Sequence, residues 1–349
     1  IQNDSYVPDS TAAYSIAIWK DSLIIALPSD MPVPNYSGNR GGSQASNEFT
    51  VDGYTYILWK DYTYYFWDES AKVKIPGTIA MVKKINKYSG QETIISPPET
   101  VTYNGQSYPV AVLMEEINEP TYSHYEIRIK PSIKCIEYYA LARFSSMVYR
   151  FIVEDSTDSL YIWPSRNTFD MGSKKISGGL YRFENMNYCY FGRNIRNCSS
   201  TYSRKERFGP LAGWPVHQSS SRHLQVVFGP KVNKPGHHFF YDTPLWRIDL
   251  TVEALNPPTI DSDIFSKTFP PSSSRPKAMV YAGQIDAYNS INNWKYNFTI
   301  EELPGSGISG GTDWKLGIIG NLGACTGYKM TVSRSEKGNG KMEDKNNAS

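Results

Sequence analysis

Apolar and polar residues alternate along much of this chain, most plainly in two C-terminal stretches. Trp246, Ile248, Leu250, Val252 and Ala254 interleave with Arg247, Asp249, Thr251 and Glu253, and Trp294, Tyr296, Phe298 and Ile300 interleave with Lys295, Asn297, Thr299 and Glu301. Side chains leave a strand on opposite faces with period two, so each run predicts a strand with one apolar and one polar face. Similar patterns predict strands over 14–27, 49–59, 62–67, 74–85, 125–129, 134–139, 147–153 and 279–285, with shorter ones at 160–163, 180–183 and 224–228. Within 100–113, Asn104-Gly105 tolerates the positive φ of a tight turn and predicts a hairpin. Residues 115–119 predict one helical turn before Pro120.

No helical pattern runs beyond about two turns, which argues against parallel βαβ units and for an all-β chain of antiparallel strands. Proline and glycine punctuate it at Pro28, Pro32, Pro34, Gly38, Gly41 and Gly42, and a Pro/Ser loop spans 257–276. The pattern loosens over 155–244, a stretch rich in Gly, Asn, Ser, Tyr and Arg and long for a structureless connection. No repeat of fixed period emerges. The expected organisation is a single β domain over 1–303 with a large insertion at 155–244, then a Gly-rich, polar tail over 304–349.

Composition narrows the function classes. The 349 residues include 26 Tyr and 8 Trp, side chains suited to strands and to interfaces where one end packs and the other meets water. A net charge of +2 gives no global signal for nucleic acid or a membrane surface. No apolar run approaches the ~20 residues of a membrane-spanning helix. The chain opens on Ile1 without a signal segment, which reads as a processed product or a piece of a longer one. Cys135, Cys189, Cys198 and Cys325 lack metal-ligand spacing and are expected to be free, with Cys189 and Cys198 the one pair able to close a short loop. Sequons at Asn3, Asn35, Asn197, Asn297 and Asn347 do not by themselves establish secretion.

No catalytic signature stands out, and the chain is expected not to be an enzyme. Gly305-Ser306-Gly307-Ile308-Ser309-Gly310 fits a dinucleotide fingerprint, but its preceding strand alternates and too little chain follows for a βαβ unit. His124, His217, His223, His237 and His238 lack the helical spacing of a zinc-protease site, and Ser219–Ser221 has no nucleophile elbow. Asp261 with Asp263, and Asp155 with Asp158, offer loop oxygens for a hard cation such as Ca²⁺, although solvated loop acids explain them as well; no other cofactor is expected. Arg193, Arg196, Arg204, Lys205 and Arg207 interleave with Tyr188, Tyr190, Phe191, Tyr202 and Phe208. Cations neutralise phosphates and rings stack on unpaired bases, so Arg193, Arg196, Tyr202, Arg204, Lys205 and Arg207 form the candidate single-stranded nucleic-acid site, the alternative being a solvated basic loop packed by its own aromatics.

The order of later segments resembles the coat proteins of small invertebrate parvoviruses, the densoviruses. There a long irregular insertion leads into a final strand pair joined by a proline-containing loop. Here Gly229-Pro230 to Pro244 leads into Leu245-Trp246-Arg247-Ile248-Asp249-Leu250-Thr251-Val252-Glu253, then Asn256-Pro257-Pro258, then 281–285 and 294–301. The likeness covers roughly residues 134–303, and the family's His-Asp-x-x-Tyr phospholipase signature and N-terminal glycine tract are missing. The resemblance implies an antiparallel eight-stranded jelly roll that self-assembles into an icosahedral capsid of about sixty copies around single-stranded DNA. Virion localisation, assembly in a host nucleus and an unidentified host receptor follow from it. The alternatives are a secreted β-sandwich adhesin or carbohydrate-binding module, and a β-sandwich hydrolase acting through paired acids.

Overall fold

The computed structural model describes residues 15–19, 22–26, 40–66, 68–86, 94–118, 126–137, 140–141, 148–162, 180, 183, 185–197, 209–211, 223–236, 238–241, 243–262, 264–265 and 270–304. Strands dominate and helix is scarce, as the alternation predicts.

The first hairpin joins β1 (Ser15–Trp19) to β2 (Ser22–Ala26). A larger antiparallel meander follows, built from β3 (Arg40–Gln44), β4 (Phe49–Val51), β5 (Tyr54–Phe66) and β6 (Asp68–Ile85). Asp52 and Gly53 both take positive φ and close the β4–β5 hairpin. The predicted strands 49–59 and 62–67 merge in β5 around a bulge at Asp61, whose φ is positive and whose Oδ1 accepts from the Gly77 amide of β6. The bulge re-phases the alternation: Tyr54, Tyr56 and Leu58 face one apolar cluster, whereas Tyr62 and Tyr64 join Ile57 in another. The Asn104-Gly105 turn is as expected, with both residues at positive φ between β8 (Thr100–Tyr103) and β9 (Gln106–Asn118). β9 continues through 115–118, where a helical turn was expected.

From β6 onward strand pairing becomes parallel, apart from the β8–β9 hairpin. One sheet of eight strands runs β19-β18-β17-β16-β14-β12-β10-β7, with β7 (Ile94–Ile95), β10 (Glu126–Ile129), β12 (Arg150–Val153), β14 (Tyr188–Phe191), β16 (Leu224–Phe228), β17 (Ile248–Val252), β18 (Lys277–Val280) and β19 (Thr299–Glu302). Every pairing in it is parallel. The second sheet runs β15-β13-β11-β9-β6-β5-β3 and adds β11 (Cys135–Ile136), β13 (Leu160–Ile162) and β15 (Ile195–Asn197). Each middle coil makes a strand in the first sheet, turns a short corner, makes a shorter strand in the second and returns. The stretch 155–244, expected as an insertion, thereby supplies β13 to β16 of this framework.

The expected antiparallel jelly roll is therefore not the arrangement of the described residues. Parallel neighbours need a crossover, usually a helix; here strands of the second sheet lie between β10 and β12, β12 and β14, and β14 and β16, and two short helices lie between β18 and β19. Residues 294–303 also differ from expectation. Asn292–Asn297 is a helix, α2, following α1 (Ile285–Asn289), and only then does β19 begin. Trp294 and Phe298, four apart, are both buried, and the indole donates to the Pro258 carbonyl at 2.7 Å. Neither Leu180 nor Phe183, expected on a strand, lies in one; the Phe183 amide donates to the Leu180 carbonyl.

The core lies between the two sheets. Ile127, Phe151, Cys189, Val226, Leu250 and Ala278 align in one inward row, and Ile129, Val153, Phe191, Phe228, Val252 and Val280 in another. Phe239 meets Phe191 and Phe228 edge-on at ring separations of 5.0 and 5.1 Å, extending this packing into the arcs.

Candidate functional site

Parallel stacking in register lines up the outward residues of the eight-stranded sheet as well. Glu126, Arg150, Tyr188, Gln225, Asp249 and Lys277 form one outward row, and Arg128, Ile152, Tyr190, Val227, Thr251 and Met279 a second. A third follows just past the strands: Lys130, Glu154, Gly192, Gly229, Glu253 and Tyr281.

The β10–β12 end of this face is charge-compensated. Glu126 accepts from Arg128 at 2.6 Å and lies 3.3 Å from Arg150, whose guanidinium sits 5.0 Å from the Tyr188 ring centroid. Glu154 pairs with Lys130 at 2.7 Å and Arg128 at 3.6 Å. On the far strands His223 meets Asp249 at 3.2 Å and Lys277 meets Glu301 at 2.9 Å.

Between these ends the chemistry changes. Tyr190 donates its hydroxyl to Asp155 Oδ1 at 2.6 Å. A β-carbon on Gly192 would overlap the Asp155 carboxylate and backbone, and one on Gly229 would overlap the Tyr190 hydroxyl, so these glycines create the space that Asp155 and Tyr190 occupy. Beside them Glu253 is only 8% exposed, and no described donor reaches its carboxylate. Burial, then the Asp155 charge, pushes its pKa up to about 7. Burial also raises Tyr188 to about 12 and, more strongly, Tyr190, which the Asp155 hydrogen bond raises further. Tyr281 is raised by burial and by Glu253. The result is a cluster of two carboxylates and two phenols, Asp155, Glu253, Tyr190 and Tyr281, beside ends of the face whose charges are paired.

The residues expected to touch nucleic acid are not assembled there. Arg193 is fully buried at a corner and donates to the carbonyls of Lys130 at 2.9 Å and Pro131 at 3.1 Å; burial lowers its pKa to about 10. It ties neighbouring coils together and offers nothing to a phosphate, which corrects its expected role. Arg196 is exposed on β15, in register with Tyr161 of the second sheet. Tyr202, Arg204, Lys205 and Arg207 lie outside the described residues.

The expected cation ligands separate too. Asp155 holds Tyr190, Asp158 pairs with Lys134, and Asp261 accepts the His238 amide at 3.1 Å. Asp263, His124, His217, His237, Ser219–Ser221, Cys198, Cys325 and 305–310 lie outside the described residues. Among the described residues no three His, Cys, Asp or Glu side chains gather as a metal site, and no helix is long and apolar enough to cross a membrane. Cys135 and Cys189 are buried thiols, and the Tyr62 hydroxyl donates to the Cys135 sulfur at 3.6 Å. Asn297 is buried and donates to the Asn293 carbonyl at 2.8 Å, so that sequon is closed to glycosylation in the folded chain. Sequence reasoning missed Glu253 as a site residue because it looked like one more outward acid in an alternating strand.

No family model and no curated protein matches the chain. Among solved structures, a leucine-rich cell surface protein of Faecalibacterium prausnitzii A2-165 aligns at 14% identity and a TM-score of 0.27, over 62% of this chain and 57% of that one. The aligned region is thus little more than half of that protein, and the likeness carries no argument about this chain.

Proposed function

We propose that this chain is a non-catalytic, adhesin-type binding scaffold whose outer sheet face docks a protein partner. The observation behind this reading is the set of outward rows: strands stacked in register put the half-buried Tyr188, Tyr190, Thr251 and Met279 close together around the buried Ile152 and Val227, flanked by charged residues at both ends. An aromatic and aliphatic centre with a polar rim suits association. Stacked coils make extended surfaces of this kind without needing a cleft.

The test is an array of peptides and glycans probed with purified protein. Peptide binding that is lost on Thr251→Arg or Met279→Glu, with folding intact by circular dichroism, is the expected result. Binding that ignores both changes, or no binding at all, rejects the reading. The coat-protein reading relied on an antiparallel jelly roll, and parallel stacking lends it no support. Electron micrographs of the same sample separate the two, since closed shells favour a coat and single particles the scaffold.

A further inference from the structure

Among the described residues four strands end the two large sheets, and they differ as templates for further pairing. β7 holds two residues and β15 three. β3 is bulged between Gly41 and Ser43, with Gly42 at positive φ. Short length and bulges are the usual means of blunting an edge. β19 has neither device: its four residues, Thr299–Glu302, run in unbroken register with β18 and include no proline.

The ladder shows which groups of β19 are already used. The Thr299 amide donates to the Pro276 carbonyl at 2.9 Å and the Leu303 amide to the Val280 carbonyl at 2.7 Å. Alternate residues of a parallel strand turn both backbone groups to the same neighbour, so Thr299, Glu301 and Leu303 face β18, while the N–H and C=O of Ile300 and Glu302 face away from the stack. Peptide groups spaced in this way fit one class of occupant, another extended main chain.

The side chains narrow the choice. Lys277 meets Glu301 at 2.9 Å; Glu302 is exposed and accepts the Gly283 amide at 3.1 Å, so this edge carries one negative charge more than Lys277 balances. Elsewhere in the sheet an outward acid has a cation on the next strand, Arg150 at 3.3 Å from Glu126 and Lys277 in register with Asp249. Beyond β19 there is no described strand to supply one. A second copy of the chain fits badly. Two-fold antiparallel pairing through the outward groups of Ile300 and Glu302 would centre on Glu301 and set it opposite the same residue of the copy, and like charges directly across a ladder repel.

We propose that the open edge of β19 takes up an extended, lysine- or arginine-bearing segment of a partner protein as one further strand of the eight-stranded sheet. Main-chain bonds to Ile300 and Glu302 supply the affinity, and a cation set beside Glu301 and Glu302 supplies the choice of sequence. This surface is separate from the outer face and does not depend on the reading given for that face.

Fluorescence anisotropy with the full chain in low salt tests it, using a labelled, end-blocked Lys-Val-Lys-Val-Lys-Val peptide, its Glu-Val counterpart, and the Lys-Val peptide N-methylated at every amide, which keeps its charge and cannot donate to a ladder. The Lys-Val peptide should bind, and the other two about tenfold more weakly or worse. Glu302→Pro removes an outward amide and no bond to β18, so it should weaken binding by about tenfold or more with an unchanged circular dichroism spectrum. Glu302→Gln keeps the amide and should weaken binding about two- to fivefold. Equal binding of the N-methylated peptide, a control that needs no variant to fold, overturns strand addition in favour of charge attraction alone. Equal binding of the Glu-Val peptide overturns the basic partner. No binding of the Lys-Val peptide overturns the proposal outright, and a parent that sediments as a dimer dissociated by Glu302→Pro assigns the edge to a second copy instead. Peptide uptake at the edge with no binding on the array removes the outer-face reading and leaves this one; the reverse result removes this one and leaves the outer face.

Discussion

Glu253 carries a stability consequence independent of any ligand. The folded chain holds its proton up to about pH 7, whereas the unfolded residue releases it near 4.5. The folded state therefore binds the extra proton between those values, and stability falls as pH rises from about 5 to 8, by roughly 2–3 kcal/mol. Urea unfolding across this range should show the decline in the parent and a flatter profile in Glu253→Gln, which should be the more stable of the two above pH 7. A parent whose stability rises with pH in this window would contradict the buried, unpaired carboxylate. The alternation around Asp249, Thr251 and Glu253 already placed all three outward. That Glu253 is buried near Asp155 depends on coils distant in sequence and adjacent only by stacking.

At the scale of elements, a buried ion pair reinforces the β6–β9 pairing that joins the antiparallel meander to the parallel coils. Arg40 of β3 donates to both oxygens of Glu137, just past β11, at 2.8 and 2.5 Å, and Tyr62 of β5 donates to the same carboxylate at 2.9 Å. Glu137 is fully buried. Burial works against the Arg40 charge, but the Glu137 hydrogen bond and charge hold its pKa above the usual arginine value. Removing one partner strands the other, so Arg40→Met should cost about 3–5 kcal/mol, while Arg40→Met with Glu137→Met should recover part of that loss. Chemical denaturation of the two variants measures the difference; equal stabilities would show that the tie is slack.

The Asn104-Gly105 and Asp52-Gly53 turns are written in local residues, because positive φ at two successive positions demands them. Helix α2 was harder to read: Trp294, Asn297 and Phe298 satisfy a helical spacing as well as Trp294, Tyr296 and Phe298 satisfy period two, and only burial of Trp294 against Pro258 decides it. Trp246 follows the same lesson. It lies in a 3₁₀ turn over Leu245–Arg247 and is 62% exposed while Arg247 beneath it is buried, the reverse of the alternation.

In the whole molecule, stacked coils contact mainly their neighbours, so stability is distributed along the stack. Interior strands are held from two sides and the edge strands β7 and β19 from one. Hydrogen exchange should accordingly be slowest in β12, β14, β16 and β17 and faster in β7 and β19. Uniform protection across the sheet would indicate a single cooperative block. Parallel order escaped the sequence because the usual sign of a parallel strand is a continuous apolar run covered by helices on both faces. Here β14, β17 and β18 alternate between buried and less buried positions as antiparallel strands would, and within this sheet only the short runs Phe151–Val153 and Val226–Phe228 are continuously apolar and buried. The coils also differ in length, the shortest running from Lys277 to Thr299 and the longest from Arg150 to Tyr188, which hides the repeat.

By itself the sequence determined that the chain is built of strands, where many of them form and where the Asn104-Gly105 turn falls, since period and φ are properties of adjacent residues. Strand direction, the identity of neighbours across the sheet and the burial of Glu253 near Asp155 were decided by tertiary structure. Those depend on contacts between residues dozens of positions apart, where a missing side chain such as that of Gly229 matters only to the coil stacked upon it.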